Sequence, residues 1–228
     1  MPSESHRFPP PSPASVFVIG TDTGVGKTHA AAHLLRGWVA AGHRVVGMKP
    51  VAAGTDPGDD DALRLRAASN VAVPAALDNP VRLPEPLSPH LAARRAGVAI
   101  TLAPIVAAFR ALQPRADAVV VEGAGGFLVP LDEPPDGGLL TGADLAEALG
   151  LPVVLVVGLR LGCLNHALLT AEAVRARGLT LAGWIANRVD PHMACADDNL
   201  AFLCRHLPAP LWADLPYAPL TRSSTEFP

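Results

Sequence analysis

The sequence predicts an α/β fold, a mostly parallel sheet with helices on both faces. Three observations carry that reading. Short apolar runs alternate with helix-period patterns along the whole chain. Several runs are apolar on both faces, as strands covered from two sides must be. The first run enters a glycine-rich turn and then a helix pattern.

The elements follow in order. Ser15–Ile19 reads as a short buried strand. Thr28–Ala41 reads as a helix, with Ala31, Leu34, Leu35 and Trp38 on one face and Gly42 as its stop. Arg44–Met48 is a second strand, closed by Lys49 and Pro50. Asp61–Ala68 and Leu91–Arg95 read as short helices inside a proline-rich stretch. Leu102, Ile105, Phe109 and Leu112 mark a clearer helix with Thr101 as its cap. Ala118–Val121 is a strand ending in Glu122 and a turn at Gly123–Gly126. Leu145–Leu149 is a brief helix and Val153–Val157 a strand. Asn165–Arg177 is a helix stopped by Gly178, and Leu181–Ala186 a strand. Cys195–His206 is a helix and Leu211–Ala213 the last strand.

Composition narrows the function classes. The chain has 228 residues, half of them apolar, which excludes disorder as its main state. Its formal net charge is −3, without the basic excess that nucleic acid or an anionic membrane selects. The three cysteines form no CxxC pair, which points to a reducing compartment. Residues 1–14 carry five prolines and almost nothing to bury, so a disordered tail is expected there. They have neither the basic start nor the apolar stretch of a secretory leader. No run is long enough to span a bilayer. The expectation is a cytoplasmic protein with one domain over 15–228.

In parallel sheets ligands sit beyond the carboxyl ends of the strands, so the polar residues there are the candidates for chemistry. The first strand runs into Gly20-Thr21-Asp22-Thr23-Gly24-Val25-Gly26-Lys27-Thr28 and a helix. Glycines let backbone N–H groups turn around phosphate oxygens, and the helix N-terminus adds its positive dipole end. Lys27 would supply a point charge to the β- and γ-phosphates, and the Thr28 hydroxyl could ligate Mg²⁺. The loop is a variant, with five residues instead of four between Gly20 and Gly26. The expected fold is therefore P-loop NTPase-like.

The chain uses 16 arginines and only two lysines, Lys27 and Lys49. Both stand at strand carboxyl ends. A compact ammonium suits a tight phosphate site better than a planar guanidinium does. Lys49 would neutralise charge on a transferring phosphoryl group. Glu122 stands where a carboxylate holds nucleotide-bound Mg²⁺. Asp59, Asp60 and Asp61 open a helix and serve either as caps or, for one of them, as a metal ligand. His29 and His33 share a helix face but lack a third metal ligand. Cys163 and His166 lack the third partner of a nucleophilic triad.

Five further strings keep a common order. They are KPV at 49–51, VEGAGG at 121–126, LGCLNH at 161–166, AGWIAN at 182–187 and PAPL at 208–211. With the glycine loop, they make residues 15–217 resemble dethiobiotin synthetase. The resemblance implies a homodimeric, cytoplasmic enzyme that makes dethiobiotin from 7,8-diaminopelargonic acid, CO2 and MgATP. It implies a carbamate that attacks the γ-phosphate, then ring closure by the second amine. It implies Thr28, Asp61 and Glu122 as Mg²⁺ ligands, and Gly24, Val25, Gly26, Lys27, Thr28 and His29 around the triphosphate. Glu122, Gly123, Ala124 and Gly125 would join them there. Asn187 and Arg188 would line the adenine pocket with Pro216, Tyr217 and Ala218. Thr23, Lys49 and Ala53 would meet the substrate. Leu161, Gly162 and Asn165 would receive its carboxylate from the partner subunit.

Departures from the family's pattern are Gly24, where a Glu is frequent, and Ala53, where a hydroxyl is frequent and Thr55 is a candidate substitute. The competing readings are a partition or septum-positioning ATPase, a cobyrinate-type amide ligase and a non-catalytic nucleotide-binding protein. The first carries a second loop lysine where this chain has Asp22, and the second needs a glutaminase domain.

Overall fold

The computed structural model describes residues 15–54, 61–134 and 137–218. Asp59, Asp60 and Thr55 lie outside them.

Six strands form one parallel sheet: β1 (Val16–Gly20), β2 (Val45–Met48), β5 (Ala118–Gly126), β8 (Val153–Gly158), β9 (Leu181–Asn187) and β10 (Leu211–Leu215). Their order is β10-β9-β8-β1-β5-β2. The chain builds the β5 and β2 side first, then crosses β1 to lay down β8, β9 and β10. The loop after β1 therefore sits where the winding reverses, the place at which such sheets bind ligands. β3 (Val51–Ala53) and β4 (Val81–Leu83) form a separate parallel pair, and β6 (Pro130–Asp132) and β7 (Leu140–Thr141) an antiparallel pair.

Helices cover both faces. On one side Ala30, Ala31, Leu34, Leu35 and Trp38 of α1 (Lys27–Ala40) and Leu65 of α2 (Asp61–Ala68) pack with Val18, Val120 and Ile185 of the sheet. α3 (Ala75–Asp78) is a single turn that follows α2. On the other side lie α4 (Pro89–Ala96), α5 (Leu102–Leu112), α6 (Gly142–Leu149), α7 (Cys163–Ala176) and α8 (Ala196–His206). They contribute Ala92, Ile105, Phe109, Leu145, Ala167 and Leu203 against Phe17, Ile19, Val121 and Leu155. β1 is buried at all five positions, with Phe17 and Ile19 facing one core and Val16 and Val18 the other. This is the alternation of a strand covered twice.

Four of the expectations needed adjusting. β5 continues past Val121 to Gly126, because its ladder with β1 runs on to the Gly20–Gly126 pair. Glu122 and Gly123–Gly126 are therefore strand residues, and no turn begins at Gly123. Lys49 lies just outside β2, which ends at Met48. α7 begins at Cys163, two residues early, with Gly162 at φ 95 as its cap. Thr101 is the N-cap of α5 but makes no side-chain capping bond.

Candidate functional site

The loop 20–28 turns on glycine. Gly26 sits at φ +85, and a Cβ there would lie 2.0 Å from Nδ2 of Asn187. That amide donates to the Val25 carbonyl at 2.9 Å, pinning the loop to the end of β9. Val25 is 1% exposed and anchors the loop from below. α1 starts at Lys27 with no side-chain cap and no acidic residue in its first turn. Its first N–H groups are left for an external anion.

Beside the loop, the two lysines and three oxygen-bearing side chains converge. Lys27 and Lys49 are 7% and 4% exposed, and Glu122 is fully buried. Nζ of Lys49 donates to Glu122 Oε1 at 2.5 Å and to the Gly123 carbonyl at 3.3 Å. It lies 3.0 Å from Asp61 Oδ2. The Thr28 hydroxyl reaches Asp61 Oδ1 at 2.8 Å and Glu122 Oε1 at 2.9 Å. Nζ of Lys27 donates to the Asp22 carbonyl at 2.9 Å.

Electrostatics follow from this crowding. Burial and the neighbouring Lys49 charge pull the Lys27 ammonium down to about 8. Burial also lowers Lys49, but Glu122 and Asp61 outweigh it, and its pKa stands above the ordinary lysine value. Burial pushes Asp61 up, and Lys49 with Thr28 overcomes that to hold it below the usual carboxylate range. Burial raises Glu122 against the opposing pull of Lys49. His29 is lowered, by burial and then by Arg36.

The oxygen set suits a hard divalent cation. One Thr28 proton faces two carboxylates, and Glu122 Oε2 is buried without a hydrogen-bond partner. A hydroxyl can satisfy only one of them. Among the described residues no group of three or more His, Cys, Asp or Glu could hold a metal alone. Mg²⁺ does not require one, since it takes one or two carboxylates and fills its shell with water and phosphate oxygens.

Two cavities meet at the loop. One of 550 Å³ is lined by Thr23, Lys27, Lys49, Ala53, Asp61 and Glu122, with Gly24, Gly26, Thr28, His29, Ala124 and Gly125 also on its walls. The other, 690 Å³, is lined by Asn187, Arg188, Tyr217 and Ala218, together with Arg36, Arg64 and Arg160. Gly24, Gly26, Thr28, His29 and Arg64 line both. Gly123 contributes its carbonyl to Lys49, and Pro216 precedes the two lining residues without lining either cavity itself.

The structure does not bring Leu161, Gly162 and Asn165 to these walls. Leu161 is 95% exposed, and Gly162 and Asn165 are exposed beside it. Arg160 was missed by sequence reading. It pairs with Asp22 at 2.7 Å, tying the turn after β8 to the loop. Its place at a strand carboxyl end was the available signal. Arg36 and Arg64, on helices, gave none. Arg188 was expected, but its clamp by Asp197 and Asp214 was not.

Sheet order and glycine loop together define a P-loop NTPase-like protein. A family model described as an AAA domain matches residues 14–225. The fold is shared with signal recognition particle 54 kDa protein from Aeropyrum pernix, at TM-score 0.55 and 18% identity. That match covers 95% of this chain and 45% of the other. A plasmid partition protein from Borrelia burgdorferi matches at TM-score 0.55 and 11% identity, over 95% of this chain and 92% of that one. Over 208 residues the chain is 58% identical to the ATP-dependent dethiobiotin synthetase BioD of Ralstonia nicotianae, covering 89% of each. The chain belongs to the dethiobiotin synthetase family.

Proposed function

We propose that this chain closes the ureido ring of dethiobiotin from 7,8-diaminopelargonic acid, CO2 and ATP, releasing ADP and phosphate. The observation that carries the proposal is the convergence of Lys27, Lys49, Thr28, Asp61 and Glu122 on one cavity that opens into a second across the glycine loop. The first has room for a diamine and a γ-phosphate, the second for a nucleoside.

One substrate amine takes up CO2 to form a carbamate and gives up a proton. The carbamate oxygen attacks the γ-phosphorus, and the bond to the ADP oxygen breaks. The second amine then attacks the carbamoyl carbon, and phosphate leaves as the ring closes. Attack on the γ-phosphate brings anions together, so catalysis rests on positive charge and positioning. Lys27 meets the β- and γ-phosphates and Lys49 the transferring group and the carbamate. Thr23, on the cavity wall, lies beside the reacting amine. Ala53 lines the same cavity and contributes surface alone. Thr28, Asp61 and Glu122 would hold Mg²⁺, which neutralises phosphate charge when bound.

Asn187 and Arg188, with Pro216, Tyr217 and Ala218, take the adenine. The active form is a homodimer. Its support is Leu161, which stands almost fully exposed, and the start of α7 at Cys163, where the Gly162 cap offers no side chain and the first turn has no acid. That helix start would receive the substrate carboxylate of the facing protomer, together with Asn165. Among the described residues no helix is long and apolar enough to cross a membrane. The working site is the cytoplasm.

Incubation with the diamine, ATP, Mg²⁺ and ¹³C-bicarbonate tests the reading by mass spectrometry. Dethiobiotin labelled at the ureido carbon is expected. No labelled product from folded protein would refute it. Sedimentation tests the shared site, which a fully active monomer would contradict.

A further inference from the structure

Lys49 sits in neither flanking strand, since β2 ends at Met48 and β3 begins at Val51. Its backbone must find partners elsewhere. Its N–H donates to the Asp78 carbonyl at 2.7 Å. Its own carbonyl accepts from Nδ2 of Asn79 at 2.7 Å. Pro50 has no N–H to offer, and its carbonyl accepts from Val81 N at 3.1 Å. Every backbone polar group of the Lys49–Pro50 step is thus held by the segment 78–81.

That segment is itself held. Asp78 and Asn79 are each 2% exposed. Both carboxylate oxygens of Asp78 accept from Arg66, one from Nε and one from Nη2. Arg66 belongs to α2, the helix that opens at Asp61. Asp61 in turn lies 3.0 Å from the Lys49 ammonium. The contacts close a ring from the Lys49 ammonium through Asp61, α2, Arg66 and Asp78 back to the Lys49 backbone. Both ends of the lysine are referenced to one rigid helix.

We infer that Asn79 and the Arg66–Asp78 ion pair are positioning residues for Lys49, fixing its ammonium against Asp61 and Glu122. A packed apolar pair would stabilise the fold at least as well as a buried ion pair. What the forked guanidinium–carboxylate contact adds is direction. The inference rests on the proposed role of Lys49 in the reaction.

A double-mutant cycle on phosphate release tests it. Asn79→Ala is made in the parent and in Lys49→Gln, with Arg66→Met as a second perturbation at a half-buried position. Each is expected to lower kcat about 10- to 100-fold in the parent. In the Lys49→Gln background the same changes are expected to cost less than about twofold, because their effect passes through the lysine. The KM for ATP is expected to stay within about threefold of the parent, as the glycine loop is untouched. Equal losses in both backgrounds would mean a purely structural role and overturn the inference. So would parent-like turnover of Asn79→Ala and Arg66→Met while Lys49→Gln is impaired. Parent-like turnover of Lys49→Gln itself would instead remove the lysine's role, and the clamp's with it.

Discussion

Gly26→Ala strikes the phosphate loop twice. The residue sits at φ +85, where an L side chain costs about 1–2 kcal/mol. The new Cβ would also stand 2.0 Å from Nδ2 of Asn187, so that amide must leave. Its departure breaks the 2.9 Å bond to the Val25 carbonyl and strands a buried acceptor. That loss adds about 1–3 kcal/mol. The expected total is about 2–5 kcal/mol, a large share of a domain's stability. Urea unfolding of four proteins separates the two parts: parent, Gly26→Ala, Asn187→Ala and the double variant. With Asn187 already cut back, the alanine should cost only the backbone part, about 1–2 kcal/mol. An equal cost in both backgrounds would refute the account of how β9 holds the loop.

Two other consequences can be measured directly. Glu122→Gln keeps the shape of a fully buried side chain but takes the closest charge from Lys49. Asp61 still lies 3.0 Å from the Lys49 ammonium, and burial disfavours the Glu122 charge. The cost by urea unfolding should therefore fall well below the ~3–5 kcal/mol of a stranded buried charge, while the Mg²⁺ dependence of nucleotide binding in calorimetry should weaken. Asp144 closes a capping box with Thr141 at the start of α6 and pairs with Arg177. Asp144→Ala should cost about 1 kcal/mol at neutral pH. Burial pushes the Asp144 carboxyl up, but its bonds from Thr141 and Arg177 outweigh that and hold it low. Its stabilisation is therefore complete above the unfolded value of about 3.9 and lost as pH falls through the lowered folded one. The stability gap between variant and parent should narrow below about pH 4, and a gap independent of pH would contradict the assignment.

Most of the main sheet was legible because each of its strands holds a short apolar run, and the helices between them carry a 3.6-residue period. What escaped was short or built from backbone. β3, β4, β6 and β7 have two or three residues each, too few to show a period. α3 is a single turn in a proline-rich stretch. The extension of β5 was hidden by its glycines, which read as a turn although the ladder to β1 resumes, after an irregularity that includes Gly125 at φ +54, at the Gly20–Gly126 pair. In the candidate site, Lys27, Lys49, Thr28, Asp61 and Glu122 were readable because chemistry demands those side chains at strand ends. Asn79 and Asp78 were not, since they act on main-chain atoms, which leave no pattern in a sequence. Leu161 and Asn165 stand away from both cavities, so one chain alone does not join them to the candidate site.

The central claim is that Lys49 acts on the reacting phosphoryl group while Lys27 and the glycine loop hold the nucleotide. The direct test is Lys49→Gln, assayed in parallel for ATP affinity and for phosphate release with diaminopelargonate and bicarbonate present. The account predicts an ATP Kd near the parent's and a turnover lower by roughly 10²–10³-fold. Parent-like turnover, or a loss wholly explained by weaker ATP binding, would contradict it.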